Sequence, residues 1–511
     1  MKYYKDHYDV IVIGGALAGL SAALTLASKG KDVLVLERHN LPGGCATSFV
    51  RGGIEIEAAL HEMMSIGEPA HRLKVGQFFD DMGVDIHWLR VPEAYHASIP
   101  GHEVTIHPGV ETCAKEIDAE VPGTYEKVLS LLKLCLRVYD SMNILGAKPA
   151  GKPEMLLKHT DFVKTAGYSA LEVIQTFDLP QDAVDLLSPY WIYVGNKLSD
   201  LPFSIYAFLM ADYVGYGSYI PEKLSHEMSL KLAERAEQMG VQIEYRQNVE
   251  KILVKNKKVC GVRTARGDEI AADYVISAAY PNQVYTSMIE PLSEVPESAV
   301  KMVNGRTVGL SNFTVIMILD QSAEELGIRD YSIFKGETMD TDAIFENISG
   351  TGDYKYLTCI CHNLGNPNAT PAGTCSFSIT VLPRAEAWMK VSMDDYDRVR
   401  RETARQMIAE MSGYLGVDLF AHIQELVIET PMTMARYTGA WNGSIYGYMH
   451  TMRDHIVARL STTEAEKFFD GLEFAGAHAL TGDGMGPQVT NGRKAAQFVL
   501  NDMEKKEAAR R

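Results

Sequence analysis

The stretch Val12-Ile13-Gly14-Gly15-Ala16-Leu17-Ala18-Gly19-Leu20-Ser21-Ala22-Ala23 decides how this chain is read. It comes close to the G-x-G-x-x-G turn that joins a buried strand to a helix and receives a dinucleotide pyrophosphate. Gly14 and Gly19 hold the first and last positions, Ala16 stands where the middle glycine belongs, and Gly15 lies one place upstream. The first glycine of such a turn permits the sharp bend, the middle one lets backbone approach phosphate, and the last lets the helix pack against the strand. An alanine methyl narrows the phosphate approach without closing it, and Gly15 keeps the turn flexible.

The flanks support the turn. "YDVIVIGG" is a β-branched apolar run ending in glycine, the pattern of a buried parallel strand. "LAGLSAALTLASKG" reads as a helix rich in small residues and closed by Gly30. "KDVLVLER" is a second buried strand that ends at Glu37. The order is β-α-β, as a mononucleotide-binding half requires. The helix N-terminus offers free N–H groups to phosphate. Glu37 follows Gly19 by eighteen residues, which suits a carboxylate accepting ribose hydroxyls and disfavours a 2′-phosphate. The apolar run Val10–Ala27 changes periodicity at its glycines, so it reads as a strand and a helix rather than a membrane span.

At 511 residues the chain is too long for one simple core, and two domains are expected. A composition of 46% hydrophobic and 23% charged residues is that of a globular protein. The net charge of −17 argues against nucleic-acid binding, because an acidic surface repels phosphate backbones. Seven cysteines make no disulfide framework, and no secretory signal is visible, so a reducing cytoplasmic location is expected.

Beyond Glu37 runs "RHNLPGGCATSFVRGGIEIEAALHE". This stretch resembles the FAD-dependent phytoene desaturase, carotenoid isomerase and retinol saturase group, most closely through Gly43, Gly44, Cys45, Phe49, Gly53, Ile54, Glu55 and His61. The resemblance recurs in "YIPEKLSHEMSLKLAERAEQMGVQIEYRQNVEKI", in "ADYVISAAYPNQVY", in "NPNATPAGTCSFSI", in "TPMTMARYTGAWNGSIYG" and in "GAHALTGDGMGPQVTNGRKAA", in that order along the chain. It implies a Rossmann-like α/β FAD-binding domain assembled from discontinuous segments, residues 1–70, 220–300 and 465–511. An α+β substrate domain, a sheet with a helical cap, would take residues 71–219 and 301–464. It further implies an FAD site built from Gly14, Gly15, Ala16, Ala18, Gly19, Glu37, Arg38, Gly43, Gly44, Cys45, Val249, Gly482, Asp483, Gln488 and Val489. Glu57 stands where the group has aspartate, Ala59 where it has glycine, and Lys223-Leu224 where it has a glycine pair. The substrate therefore need not be a carotenoid.

Local patterns agree with that layout. In "TYEKVLSLLKLCLRVYDSMNIL", Val128, Leu131, Leu132, Cys135 and Val138 recur at helical steps and make one buried face. Ser169 to Glu172 is a capping-box signature. Val249 to Ser277 reads as short strands joined by the polar turns "KNKK" and "ARGDE". Strands return between about residues 310 and 385.

In a flavoenzyme the cofactor carries the redox chemistry and the protein supplies orientation, electrostatics and exclusion of water. The aromatic stretch Pro189–Tyr219 offers Tyr190, Trp191, Tyr193, Phe203, Tyr206 and Phe208 as channel walls, or equally as ordinary core. Arg436, Tyr437, Trp441 and Tyr446 are candidates for holding a substrate, with an ion-pairing role for Arg436 as the alternative. His61 begins "HEMM" and lacks the second histidine of a zinc helix. The resemblance puts His61 near the flavin, where it can orient substrate or donate a proton, or serve structure alone. Cys359 and Cys361 read as alternate core residues of a strand, and no metal site is expected. Neither the C-x-x-x-x-C of flavin disulfide reductases nor a second dinucleotide fingerprint occurs.

The expected function is FAD-dependent hydride transfer, to or from flavin N5, on C–C or C=C bonds of an apolar, conjugated substrate: polyene, retinoid or lipid-like. His61, Arg436 and Tyr437 are the catalytic candidates. FAD-assisted cis/trans isomerisation, amine oxidation and non-catalytic flavin or lipid binding stay open. The electron partner is unidentified, and peripheral contact with a membrane is left open, since no strongly basic amphipathic helix announces it.

Overall fold

A computed structural model describes residues 4–147, 158–456, 458–459 and 466–510. Residues 1–3, 148–157, 457, 460–465 and 511, which fall within the expected domain ranges, lie outside the described residues. The opening stretch folds as strand His7–Ile13 (β1), helix Leu17–Ala27 (α1) and strand Val33–Leu36 (β2). β1 and β2 pair in parallel from Val10 with Val33 to Ile13 with Leu36. The turn between β1 and α1 begins at Gly14, whose φ of +101° only glycine adopts without strain. Every residue of α1 from Leu17 to Leu26 is buried. Its small side chains admit close packing against the helices Leu224–Gln238 and Met485–Arg510.

An eight-stranded sheet carries this unit. The strands Gln242–Glu244, β2, β1 and Glu269–Ser277 run parallel. The expected strands downstream of Val249 form an antiparallel meander, Val249–Lys255, Lys258–Thr264 and Glu269–Ser277. The last strand, Leu472–Phe474, joins in parallel beside Val275–Ser277, so the C-terminal segment returns to the start of the fold.

A seven-stranded, mostly antiparallel sheet stands apart from the first. Its order is Ile423–Glu429, Phe313–Leu319, Cys375–Val381, Tyr356–Cys361, Ser332–Gly336, Tyr95–Ile99 and His102–Ile106. Helices between residues 110 and 216 cover it, and one apolar core runs from the sheet into them. Val128, Leu131, Leu132, Cys135 and Val138 are all buried in that core. The Ser169 hydroxyl accepts from the Glu172 N–H while the Glu172 carboxylate accepts from the Ser169 N–H, completing the expected capping box. Cys359 and Cys361 are core residues of Tyr356–Cys361. This is the expected α/β architecture, a parallel dinucleotide-type sheet beside a sheet with a helical cover. Among the described residues no helix is long and apolar enough to cross a membrane.

Candidate cofactor and substrate cavity

A cavity of about 800 Å³ draws its wall from both sheets. One end is built by the turn after β1, the segment Leu36–Ser48, the residues Gln247–Val249, and the loop Gly476–Gln488. The other end is built by Ala58–Glu62, Ile192–Val194, Phe208, Tyr213, Thr314, Thr380 and Val427–Glu429.

The first end answers the irregular glycine pattern. A side chain at Gly19 would strike the Gly14 carbonyl oxygen at 1.9 Å, so Gly19 does serve close packing of helix on strand. Gly15 does not face the cavity. Its N–H donates to Glu37 Oε2 at 2.6 Å and its carbonyl accepts from Gly43 N–H at 2.9 Å. Ala16 forms an isolated bridge with Gly43, and its methyl lies against Gly44, where a Cβ would come within 2.9 Å of it. The methyl at the middle position is therefore accommodated by the absence of side chains at Gly43 and Gly44.

Glu37 is buried and anchors two segments, since Oε1 also accepts from the His39 N–H at 2.7 Å. Beside it, Gln247 donates its backbone N–H to the Glu37 carbonyl and lines the cavity. Both polar atoms of the Gln247 side chain are buried without a hydrogen-bond partner among the described residues. So are Nδ1 of His450 and Nε2 of His478, two further lining residues. A buried polar atom left unpaired costs about 1–3 kcal/mol. A long polar ligand that runs through the cavity would satisfy these groups, and a dinucleotide laid from Glu37 toward Asp483 is such a ligand. Asn491 holds the loop at the far end by donating to the carbonyls of Gly476 and Gly482 and accepting from Thr481. Burial pushes the Asp483 carboxyl up to about 7.

At the second end burial pushes three titratable groups toward their uncharged forms. Burial lowers His61 to about 3, and nearby His362 adds to that effect. Its Nε2 sits 3.3 Å from Thr380 Oγ1, and its carbonyl accepts from the Tyr331 hydroxyl. Burial raises Glu62 to about 8 against the opposing effect of the nearby Ser218, Tyr193 and Tyr190 hydroxyls. Burial likewise raises Glu429 to about 8, with Asn312 opposing and Glu57 adding. Behind the wall, Glu57 accepts from the Ser225 hydroxyl and N–H. Leu224, in place of a glycine, keeps a left-handed φ of +59°, a conformation that costs an L-residue about 1–2 kcal/mol.

The structure brings Gly14, Ala16, Ala18, Glu37, Arg38, Gly43, Gly44, Cys45, Val249, Asp483 and Gln488 to the cavity wall, together with His61 and Tyr437. Gly15, Gly19, Gly482 and Val489 lie behind it. Gly482 packs against the His450 ring, and the Val489 carbonyl accepts from the Ser21 hydroxyl. Arg436 is exposed and outside the cavity, near the ring of Tyr437, and its carbonyl accepts from Arg38. Of the aromatic candidates only Tyr193, Phe208, Tyr437 and Tyr446 reach the wall. Tyr190, Trp191, Phe203 and Tyr206 are core, because their helices turn those faces toward the second sheet and its cover. Sequence reasoning missed Gln247, Glu62, Glu429 and Tyr213. Glu62 alone carried a signal, an acid set among apolar residues next to His61.

The sequence profile described as "Flavin containing amine oxidoreductase" matches residues 17–500. The chain belongs to that family. It is an FAD-dependent enzyme, and the cavity is the place in this family member that fits the cofactor. It is 24% identical to prolycopene isomerase of Daucus carota over 97% of this chain and 80% of the relative. It is 24% identical to all-trans-retinol 13,14-reductase of Danio rerio, over 89% and 79%. It is 23% identical to 4,4′-diapolycopene oxygenase of Methylomonas sp, over 98% and 99%. An oxidoreductase of Methanosarcina mazei shares the fold at a TM-score of 0.64 and 15% identity, covering 97% of this chain and all of that one. Putrescine oxidase bound to putrescine does so at 0.63 and 13%, covering 97% and 99%.

Proposed function

We propose that this enzyme adds or removes hydrogen across carbon–carbon bonds of an apolar, conjugated substrate such as a polyene, a retinoid or an unsaturated lipid. The observation that carries the reading is the chemistry of the second end of the cavity. Ile192, Val194, Ile205, Phe208, Leu209 and Leu382 supply an apolar surface, with Tyr193 and Tyr213 among them. Three titratable groups that border it, His61, Glu62 and Glu429, are pushed toward their uncharged forms by burial. Such a surface takes up a hydrophobic ligand and excludes water. The names of the curated relatives point to carotenoid and retinoid substrates and so support the same class.

Bound FAD would supply two-electron hydride transfer at N5. The chain's own residues bind, orient and desolvate. Gly14, Ala16, Gly43 and Gly44 leave room for backbone to approach the diphosphate, Glu37 is available to ribose hydroxyls, and Gln247 offers an unpaired amide. The neutral His61 ring, fixed by Thr380, can orient substrate but does not deliver a proton as an imidazolium. The proposal includes a cytoplasmic location, supported by the lack of disulfide pairing in all seven cysteines. It also includes transient contact with a membrane surface, supported by exposed Leu41, Val50 and Tyr437 on or beside the cavity-lining segments.

Amine oxidation is the rival reading, because a cationic amine would draw Glu62 or Glu429 into its ionised form. Product mass after anaerobic incubation with polyenes and unsaturated lipids, using oxidised and then reduced enzyme, separates the readings. A change of two hydrogens supports the proposal and gives the direction. Unchanged mass with altered chromatographic retention means isomerisation. Inert polyenes together with peroxide release from amines would overturn it.

A further inference from the structure

Glu62 occupies an unusual position for an acid. Its side chain is only 6% exposed, yet it borders the apolar end of the cavity. The Ser218 hydroxyl donates to its Oε2. Tyr190 Oη lies 3.3 Å from its Oε1, but the same hydroxyl is 2.5 Å from the Ala94 carbonyl. A carbonyl oxygen can only accept, and a tyrosine has one proton to give. The Tyr190 hydroxyl thus has one proton for two acceptors, the nearer being the Ala94 carbonyl, and the Ser218 hydroxyl is the close donor to Glu62 among the described residues. Tyr190 is held in place by stacking on Tyr213 at 4.8 Å and by edge contact with Tyr95 and Phe334. No Lys or Arg side chain is hydrogen-bonded or ion-paired to Glu62 among the described residues. Burial without a cation partner favours the neutral acid over the carboxylate, and this group borders the apolar end.

This inference rests on the reading of the preceding subsection and adds a direction to it. We propose that Glu62 is the proton donor of a saturation reaction, in which one carbon of a substrate double bond gains hydride from reduced flavin N5 and its neighbour gains the Glu62 proton. The C=C π bond and the carboxyl O–H bond break, and two C–H bonds form. The substrate gains two electrons and two hydrogens, the flavin is oxidised, and Glu62 is left as a carboxylate that takes a proton back from water after product leaves. An external low-potential electron donor must restore the reduced flavin. His61, neutral and tied to Thr380, orients the substrate beside Glu62. Burial that raises Glu62 to about 8 keeps the acid loaded at neutral pH.

The test uses the full-length FAD-loaded enzyme, reduced anaerobically with dithionite, with a panel of polyenes that includes all-trans-retinol. Wild type is expected to add two hydrogens, with a rate that falls as pH rises through about 8. Glu62→Gln is expected to lose about 100-fold or more in that rate. It should retain FAD and bind polyene, followed by the shift of the flavin absorbance, within about threefold, and the alkaline limb should vanish. Glu62→Asp should recover part of the rate and restore the limb. A Gln variant that saturates at the wild-type rate with the wild-type pH profile overturns the role of Glu62. If Gln does not fold, a flat pH profile in wild type does the same. A wild type that only removes hydrogen from polyenes overturns the direction and leaves the substrate class standing. A wild type inert toward every polyene removes the substrate class and this inference with it.

Discussion

The Ala16 methyl lies over the bare Cα of Gly44, so near that a Cβ at Gly44 would come within 2.9 Å of it. The irregular fingerprint is thus completed from outside itself. The methyl carried by the phosphate turn is matched by a missing one on the segment that follows Glu37.

Gly44→Ala should therefore weaken FAD binding. The new methyl would meet Ala16, and the φ of +63° at this position is strained for any residue with a Cβ. Strain of about 1–2 kcal/mol and overpacking of about 1–3 kcal/mol push this wall segment out of place, and a tenfold rise in the FAD Kd is expected when about 1.4 kcal/mol of that cost falls on the bound state. Adding Ala16→Gly should recover the overpacking part and not the strain. Flavin fluorescence titration reads both. Equal affinity in Gly44→Ala and wild type would show that the contact is slack.

Glu37→Ala should release FAD and also lower the stability of the apoprotein. It strips the buried Gly15 N–H, and the N–H of His39, of their acceptor. Each unpaired buried donor costs about 1–3 kcal/mol. Thermal melts with and without added FAD separate the two effects. Full FAD affinity in this variant would remove Glu37 from the ribose contact.

Stability should fall with rising pH because of Glu429. Its carboxyl ionises near 4.5 when exposed and near 8 in the fold. Between those values the native state holds a proton that the unfolded chain has released, so the stabilising difference is full below pH 4.5 and is lost as pH rises through 8. Glu429→Gln keeps a neutral side chain at every pH. Relative to wild type it should gain about 4 kcal/mol on going from pH 5 to pH 9, measured by urea unfolding of apoprotein. A pH-independent difference would mean that Glu429 is not held protonated.

The two aromatic-rich segments should respond unequally. Arg436→Ala removes an exposed side chain outside the cavity and should alter kcat/KM by less than about fivefold, as for other surface charges. Phe208→Ala opens the apolar wall and should raise KM for a polyene about tenfold or more with a smaller change in kcat. Steady-state kinetics on the substrate found by mass analysis decides the point. A large effect at Arg436 would put that cation in the substrate path.

Local pattern in the sequence determined the β-α-β unit, the meander from Val249 to Ser277, the helical face from Val128 to Val138 and the cap at Ser169. Each depends on neighbours a few residues away, where periodicity and hydrogen bonding to the chain's own backbone decide the outcome. The order of the flavin-type motifs also made the cofactor legible. Tertiary structure alone decided which side chains reach the cavity wall. Glu62 is taken out of water because segments as distant as Ser218 and Tyr190, 156 and 128 residues away, close over it. Gln247 becomes an unpaired amide because its strand-end loop folds beside Glu37. Tyr193 faces the cavity and Tyr190 the core although both belong to one short helix. Burial and partner choice are properties of packing between distant segments, and no local pattern in the chain encodes them.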